Sequence, residues 1–182
     1  MSWKKRASKY SSDVYGAEDS GPVWSADQLW SKVLAWQTRR EHSRRELEQK
    51  LKRINAQPDQ IEAVLAKLID YNLQSDQRFA EGMVRSQINR GRAARVIKQR
   101  LQVAGVSADE PEIVTQLGQV DWVTEATNQL RKRFGQVLST DRKEKARYIR
   151  FLQYRGYSMS HAIAAISRLG LSVDDDISDE FV

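Results

Sequence analysis

Cysteine is absent from this sequence of 182 residues. That excludes disulfides, thiolate catalysis and any zinc site built on cysteine. Histidine is scarce: His42 and His161 are the two, far apart and in no H-E-x-x-H spacing. Neither a metal centre nor another cofactor is therefore expected. No apolar run approaches the roughly 20 residues that span a bilayer. The basic start, MSWKKRASKYSS, has no apolar segment behind it to make a secretory signal. A cytoplasmic chain without membrane contact is the expectation. Strand-like alternation bounded by turn residues is missing as well.

What the chain does have is positive charge, net +6 with 30% of residues charged and 40% hydrophobic. The charge is uneven. The last nine residues, DDDISDEFV, hold five acids and no base, so the body is more basic than the total. From Gly82 to Ala108 there are six Lys or Arg and no acid. A body of this kind suits nucleic acid or an acidic partner surface. Residues 1–24, rich in Ser, Gly, Asp and Lys, read as a flexible arm, and 172–182 as an acidic solubilising tail.

Between them the pattern is helical. Ser43 followed by Glu46 reads as a capping box, with hydroxyl and carboxylate each closing an open amide. Pro58 suits a first helical position. After it Ile61, Val64, Leu65, Leu68 and Ile69 form one apolar stripe. Gly91, Gly105, Gly156 and Gly170 stand where helices should stop. Trp30 and Trp36 lie on the first predicted helix, with at least one expected in the core.

The spacing also repeats. Leu47, Leu51 and Ile54 are followed fifty residues later by Ile97, Leu101 and Ala104. Leu152 and Gly156 lie fifty-one beyond Leu101 and Gly105, and Arg155 takes the place of Ile54 and Ala104. A period near 50 in a helical chain predicts an all-α fold of three tandem three-helix repeats, at 26–72, 75–118 and 121–170. Such small units must pack on one another, giving an elongated, curved molecule.

Turning the leucines inward leaves basic clusters outside. They are Arg44, Arg45, Lys52 and Arg53 in the first unit, then Arg90, Arg92, Arg95, Lys98 and Arg100, then Arg142, Lys143, Lys145, Arg147 and Arg150. Some of these have acids four residues away that would neutralise them, as in Glu41–Arg45 and Glu46–Lys50. Tyr148, Phe151, Tyr154 and Tyr157 crowd the third unit, and most are expected in its core. Catalysis is not expected. GRAAR lacks the G-x-x-x-x-G-K-[ST] phosphate loop. Asp76 and Glu81 share no helix face, and Asp76 fits a helix start. His42 sits beside a cap.

The run LQSDQRFAEGMVRSQINRGRAARVIKQRL, residues 73–101, closely resembles the central motif of the RecX family, regulators of the bacterial RecA recombinase. Leu73, Asp76, Phe79, Ala80, Val84, Arg90, Gly91, Ile97 and Leu101 carry the likeness. REHSRRELEQKL (40–51) and RFLQYRGYSMSHAIAAI (150–166) resemble the family's flanking motifs. The chain departs from relatives at GRAAR and at Arg100, where many have an acid. The resemblance implies a non-catalytic monomer that binds RecA and the RecA–single-stranded-DNA filament. It implies restraint of filament growth, ATP hydrolysis and strand exchange. The candidate contacts to RecA or DNA are Arg44, Arg45, Arg90, Arg92, Arg95, Lys98, Arg131, Lys132, Arg133, Arg147 and Arg150. The competing readings are a stand-alone DNA binder with helix-turn-helix-like modules, and an adaptor that touches no nucleic acid.

Overall fold

A computed structural model describes residues 24–172. The expected arm and tail, apart from Trp24 and Ser172, lie outside the described residues. Among those residues every regular element is a helix, and the helices fall into three groups of three. The first group is α1 (Ala26–Arg39), α2 (Arg44–Arg53) and α3 (Pro58–Asp70). The second is α4 (Asp76–Asn89), α5 (Ala94–Val103) and α6 (Pro111–Gly118). The third is α7 (Trp122–Phe134), α8 (Arg142–Tyr154) and α9 (Met159–Ser167). The all-α tandem three-helix fold read from the period is the fold observed. None of these helices is long and apolar enough to cross a membrane.

Each group has its own small core. Leu29, Val33, Leu47, Leu51, Leu65 and Leu68 fill the first. Phe79, Val84, Ile97, Leu101, Ile113 and Leu117 fill the second. Leu130, Tyr148, Ile149, Leu152, Ala165 and Ile166 fill the third. Burial of such aliphatic side chains is worth roughly 1.5–3 kcal/mol apiece, and it supplies most of what holds a module together. Trp122 touches both the second and third cores, and Ala93 from the second module is buried in the third core. The modules are thus joined as well as adjacent.

The joints follow a rule. The three middle helices α2, α5 and α8 end at Ile54, Ala104 and Arg155. Each of these residues has its carbonyl taken by a residue that caps or precedes a helix earlier in the chain. Trp24 Nε1 donates to Ile54 O at 2.6 Å, Ser43 Oγ to Ala104 O at 2.7 Å, and the Ala93 N–H to Arg155 O at 2.9 Å. Ser43 and Ala93 are the N-caps of α2 and α5. The start of α2 therefore rests on the end of α5, and the start of α5 on the end of α8. Positive helix starts meet negative helix ends, a favourable order of dipoles. Trp24 fills the same role at the end of α2.

The rule explains which residue follows each carbonyl. All three following residues are left-handed: Asn55 at φ 58°, Gly105 at 79° and Gly156 at 94°. A Cβ on Gly105 would stand 2.7 Å from Arg45 Cδ, and one on Gly156 2.8 Å from Val96 Cγ2. Only glycine lets the neighbouring helix come this close. At the matching position of the first module stands Asn55, at a φ of 58° that asparagine tolerates.

Some local expectations change. Ser43 Oγ accepts the Glu46 N–H at 3.1 Å, so half of the capping box forms. The Glu46 carboxylate turns instead to Arg40, at 2.8 Å. Glu41 pairs with Arg78 of the next module at 2.9 Å, and not with Arg45. Ile69 is 44% exposed because it lies at the edge of its stripe. Trp30 and Trp36 are partly buried against the first core, behind the fully buried Leu29 and Val33.

Candidate binding interface

The joint between the first two modules is polar. Asp76, the first residue of α4, accepts the Arg44 N–H at 2.8 Å and the Gln74 amide at 2.8 Å. His42 is buried just before the α2 cap. Its Nδ1 lies 2.9 Å from Arg40 O. A carbonyl only accepts, so that nitrogen carries the proton. Burial, then the charges of Arg40 and Lys50, hold the imidazole below its ordinary pKa.

The joint between the second and third modules is basic. Arg155 closes α8 and reaches back to the end of α4, where Nη1 donates to Arg90 O at 2.8 Å and Gly91 O at 3.4 Å. Its guanidinium also lies over Phe151, 4.8 Å from the ring centroid. Burial, then the neighbouring Arg92, lowers the Arg155 pKa. Arg95 Nη2 donates to Gln153 O at 3.0 Å across the same joint. Gly91, at φ 69°, turns the chain there, and a side chain would collide with the buried Gln129 amide of α7.

Two depressions run together across these joints. One, of about 490 Å³, lies among Arg40, Glu41, Glu46, Met83, Ser86 and Arg90. The other, of about 560 Å³, lies among Glu46, Gln49, Met83, Arg92, Gln99, Arg100 and Tyr154. They share Glu46 and Met83, making one trough that touches all three modules. Both acids in it are already ion-paired, Glu46 with Arg40 and Glu41 through Oε1 with Arg78. Arg90, Arg92 and Arg100 have no ion pair among the described residues, so the trough is cationic. At its far end Tyr154 is 78% exposed, with the Arg92 guanidinium 5.6 Å from its ring centroid.

The predicted cations therefore separate. Arg90 and Arg92 line the trough. Lys98 lies off it, since α5 contributes Val96, Gln99, Arg100 and Val103 to the trough. Arg44 is bound to Glu62 at 3.1 Å, and the Arg45 stem packs beside Gly105. Arg95 bonds the joint. Arg131, Lys132 and Arg133 form the exposed last turn of α7. Arg133 and Arg147 both lie over Phe134, at 5.9 and 5.3 Å, and Arg147 pairs with Glu144 at 3.2 Å. Arg150 is exposed on α8. The cations do not form one unbroken face. Of the crowded aromatics, Tyr148 and Tyr157 are buried and Phe151 is half-buried. Burial pushes the Tyr157 hydroxyl up to about 12. Most of the four thus belong to the core, as expected, and Tyr154 is the exception. Arg40 and Arg100 were outside the candidate set.

Tandem three-helix modules with a cationic trough across their joints define a modular all-α protein. Its modules match three successive domains of one family: residues 30–68 the first three-helix domain of RecX, 75–110 the second and 121–166 the third. The chain belongs to the RecX family. It is 37% identical over 145 residues to regulatory protein RecX of Acinetobacter baylyi, covering 80% of this chain and 90% of that one. It is 39% identical over 127 residues to regulatory protein RecX of Halorhodospira halophila, covering 70% and 79%. The crystal structure of RecX from Lactobacillus salivarius shares the fold, with a TM-score of 0.61 at 21% identity, covering 80% of this chain and 96% of that one.

Proposed function

We infer that this chain is a non-catalytic regulator of the RecA recombinase. It binds the RecA–single-stranded-DNA filament through the trough and so limits filament growth, ATP hydrolysis and strand exchange. The observation that carries this reading is the group Arg90, Arg92 and Arg100, without ion pairs among the described residues, in a trough that touches three modules. An extended trough suits an extended anionic partner, and several modest contacts along it add through effective concentration. Arg44, Arg45, Arg95, Lys98, Arg131, Lys132, Arg133, Arg147 and Arg150 are secondary contacts in this reading.

The test compares two double charge reversals of equal net charge. Arg92→Glu with Arg100→Glu alters the trough, and Lys98→Glu with Lys132→Glu alters cations outside it. RecA ATP hydrolysis on single-stranded DNA is measured against regulator concentration. The trough variant should need at least about tenfold more protein for half inhibition, as loss of central charged contacts costs 2 kcal/mol or more. The outer variant, which alters only secondary contacts, should need a clearly smaller increase than the trough variant. Equal effects from both would remove the trough from the argument.

Tyr154 favours a second reading, direct binding of single-stranded DNA by the free chain. An exposed aromatic beside an arginine is a stacking platform for a base. Three to four phosphate contacts would give a log–log salt slope of about −2 to −3. Binding that needs RecA, with a shallower slope, supports the first reading.

A further inference from the structure

A second cleft, sharing no residue with the trough, lies between α1 and α3 of the first module. It measures about 240 Å³ and is lined by Leu29, Trp30, Ala63 and Val64, with Asp27, Asp59 and Lys67 among the residues at its edge. Leu29 and Val64 are buried, whereas Ala63 is exposed. The Trp30 indole is held from two sides: Lys67 Nζ is 4.4 Å from its centroid and the Tyr71 ring is 6.0 Å away. The cleft is therefore formed before anything enters it.

The repeat supplies an internal control. The corresponding crevice between α4 and α6 of the second module is lined by Glu81, Arg85, Glu112, Thr115, Gln116 and Gln119. Packing a first helix on a third thus does not require an apolar opening. The first module has one, and it keeps a tryptophan and a tyrosine at the surface beside it. An exposed apolar patch of this kind marks an interaction site.

The charges around the cleft define the occupant. Asp27 and Asp59 stand in the first turns of α1 and α3, and Lys67 in the last turn of α3. The eight residues from Asp59 to Lys67 span about 12 Å at 1.5 Å per helical residue. A helix laid along α3 covers that length with positions i, i+4 and i+8 on one face. We propose that the α1–α3 cleft docks a helical segment of a partner protein. That segment inserts one leucine-sized side chain, with a basic residue at the Asp27–Asp59 end and an acidic residue at the Lys67 end. This is helix-in-groove recognition with polarity set by charge.

The probes are stapled alanine-based helices of about 17 residues, a length at which unaided helices are marginal. One carries Lys, Leu and Glu at i, i+4 and i+8, and another carries Lys, Leu and Lys. Each is titrated into the isotope-labelled full chain and followed by nuclear magnetic resonance. The first peptide should shift the Trp30 indole and Val64 methyl signals. Ala63→Gln, which sets a neutral side chain across the opening, should weaken it about tenfold, as for loss of an anchor pocket, at an unchanged melting midpoint. Lys67→Glu should weaken the first peptide and favour the second. Reversing Arg92 and Arg100 should leave both affinities unchanged, which separates this site from the trough. Absence of any shift at millimolar peptide, or equal binding by Ala63→Gln, overturns the proposal. So do Overhauser contacts from residues 1–23 to the Val64 methyls, or self-association abolished by Ala63→Gln. Either would name a different occupant.

Discussion

Arg155 should hold the second and third modules together, and Arg155→Ala measures how firmly. The substitution removes two charge-assisted bonds, at 2.8 and 3.4 Å, from the end of α4. A hydrogen bond to a charged group contributes about 1.5–3 kcal/mol net. The longer bond is weak and the residue is only half-buried, so one strong bond is the fair count. Losing the contact over Phe151 adds about 0.5–1 kcal/mol. A loss near 2 kcal/mol lowers the melting midpoint of a protein this size by about 4–8 °C. Arg155→Lys keeps the charge but not the fork, and should recover roughly half of that. Thermal unfolding by circular dichroism reads both. The same change frees Arg92 of one module from Tyr154 of another, so inhibition of RecA ATP hydrolysis should weaken beside the stability loss. An alanine variant melting within about a degree of the parent would refute the reasoning. The Ala93–Arg155 backbone bond and apolar packing would then be enough to make the joint.

Trp24→Phe keeps an aromatic ring but leaves Ile54 O without its donor at 2.6 Å, which should cost about 1 kcal/mol. Amide exchange should quicken at the end of α2 while the ends of α5 and α8 keep their protection; a uniform change would contradict the capping role. His42 gives a pH test. Its folded-state pKa is lowered, chiefly by burial, so the unfolded chain takes up the proton first as pH falls. The stability it contributes is complete above about pH 6.5 and is lost as pH falls through the lowered folded value. The melting midpoint should therefore drop more between about pH 7.5 and 5.5 in the parent than in His42→Gln, and identical drops would count against it.

Much of this architecture is legible in the chain because repetition amplifies weak signals. Leu47 and Leu51 alone predict one helix face; with Ile97, Leu101 and Leu152 they predict a row. Even the exceptional Arg155 was legible as a break in register, although not as a clamp, since its target lies sixty-five residues away. The failures come from contacts that spacing cannot carry. Glu46 has the right offset for a box with Ser43, yet Arg40 competes for it through a turn. Tyr154 was detectable: Tyr148, Ile149 and Leu152 fix the buried face of α8, and 154 falls off it. The trough itself was not legible, because its lining comes from four helices and the α1–α2 and α4–α5 links, and no linear stretch contains it.

The distribution of charge argues for an anionic partner more strongly than its total does. Where stability alone is at stake, the fold neutralises cations: Arg78 and Arg168 each find a carboxylate, at 2.9 and 3.6 Å. At the second joint it does the reverse. Arg92 and the half-buried Arg155 are close enough to depress the Arg155 pKa. Arg90 and Arg100 lie nearby, and no acid occurs between Gly82 and Ala108. Like charges gathered at a half-buried joint cost free energy in the isolated protein. One glutamate in that stretch, for instance in place of Arg100, would have relieved the cost. Repulsion left in place at a joint is relieved when an anion arrives, so the same residues that weaken the free molecule strengthen the bound one. Placing Glu at 100 should accordingly raise the melting midpoint while it lowers RecA inhibition. A variant that loses both stability and inhibition would break the link between them.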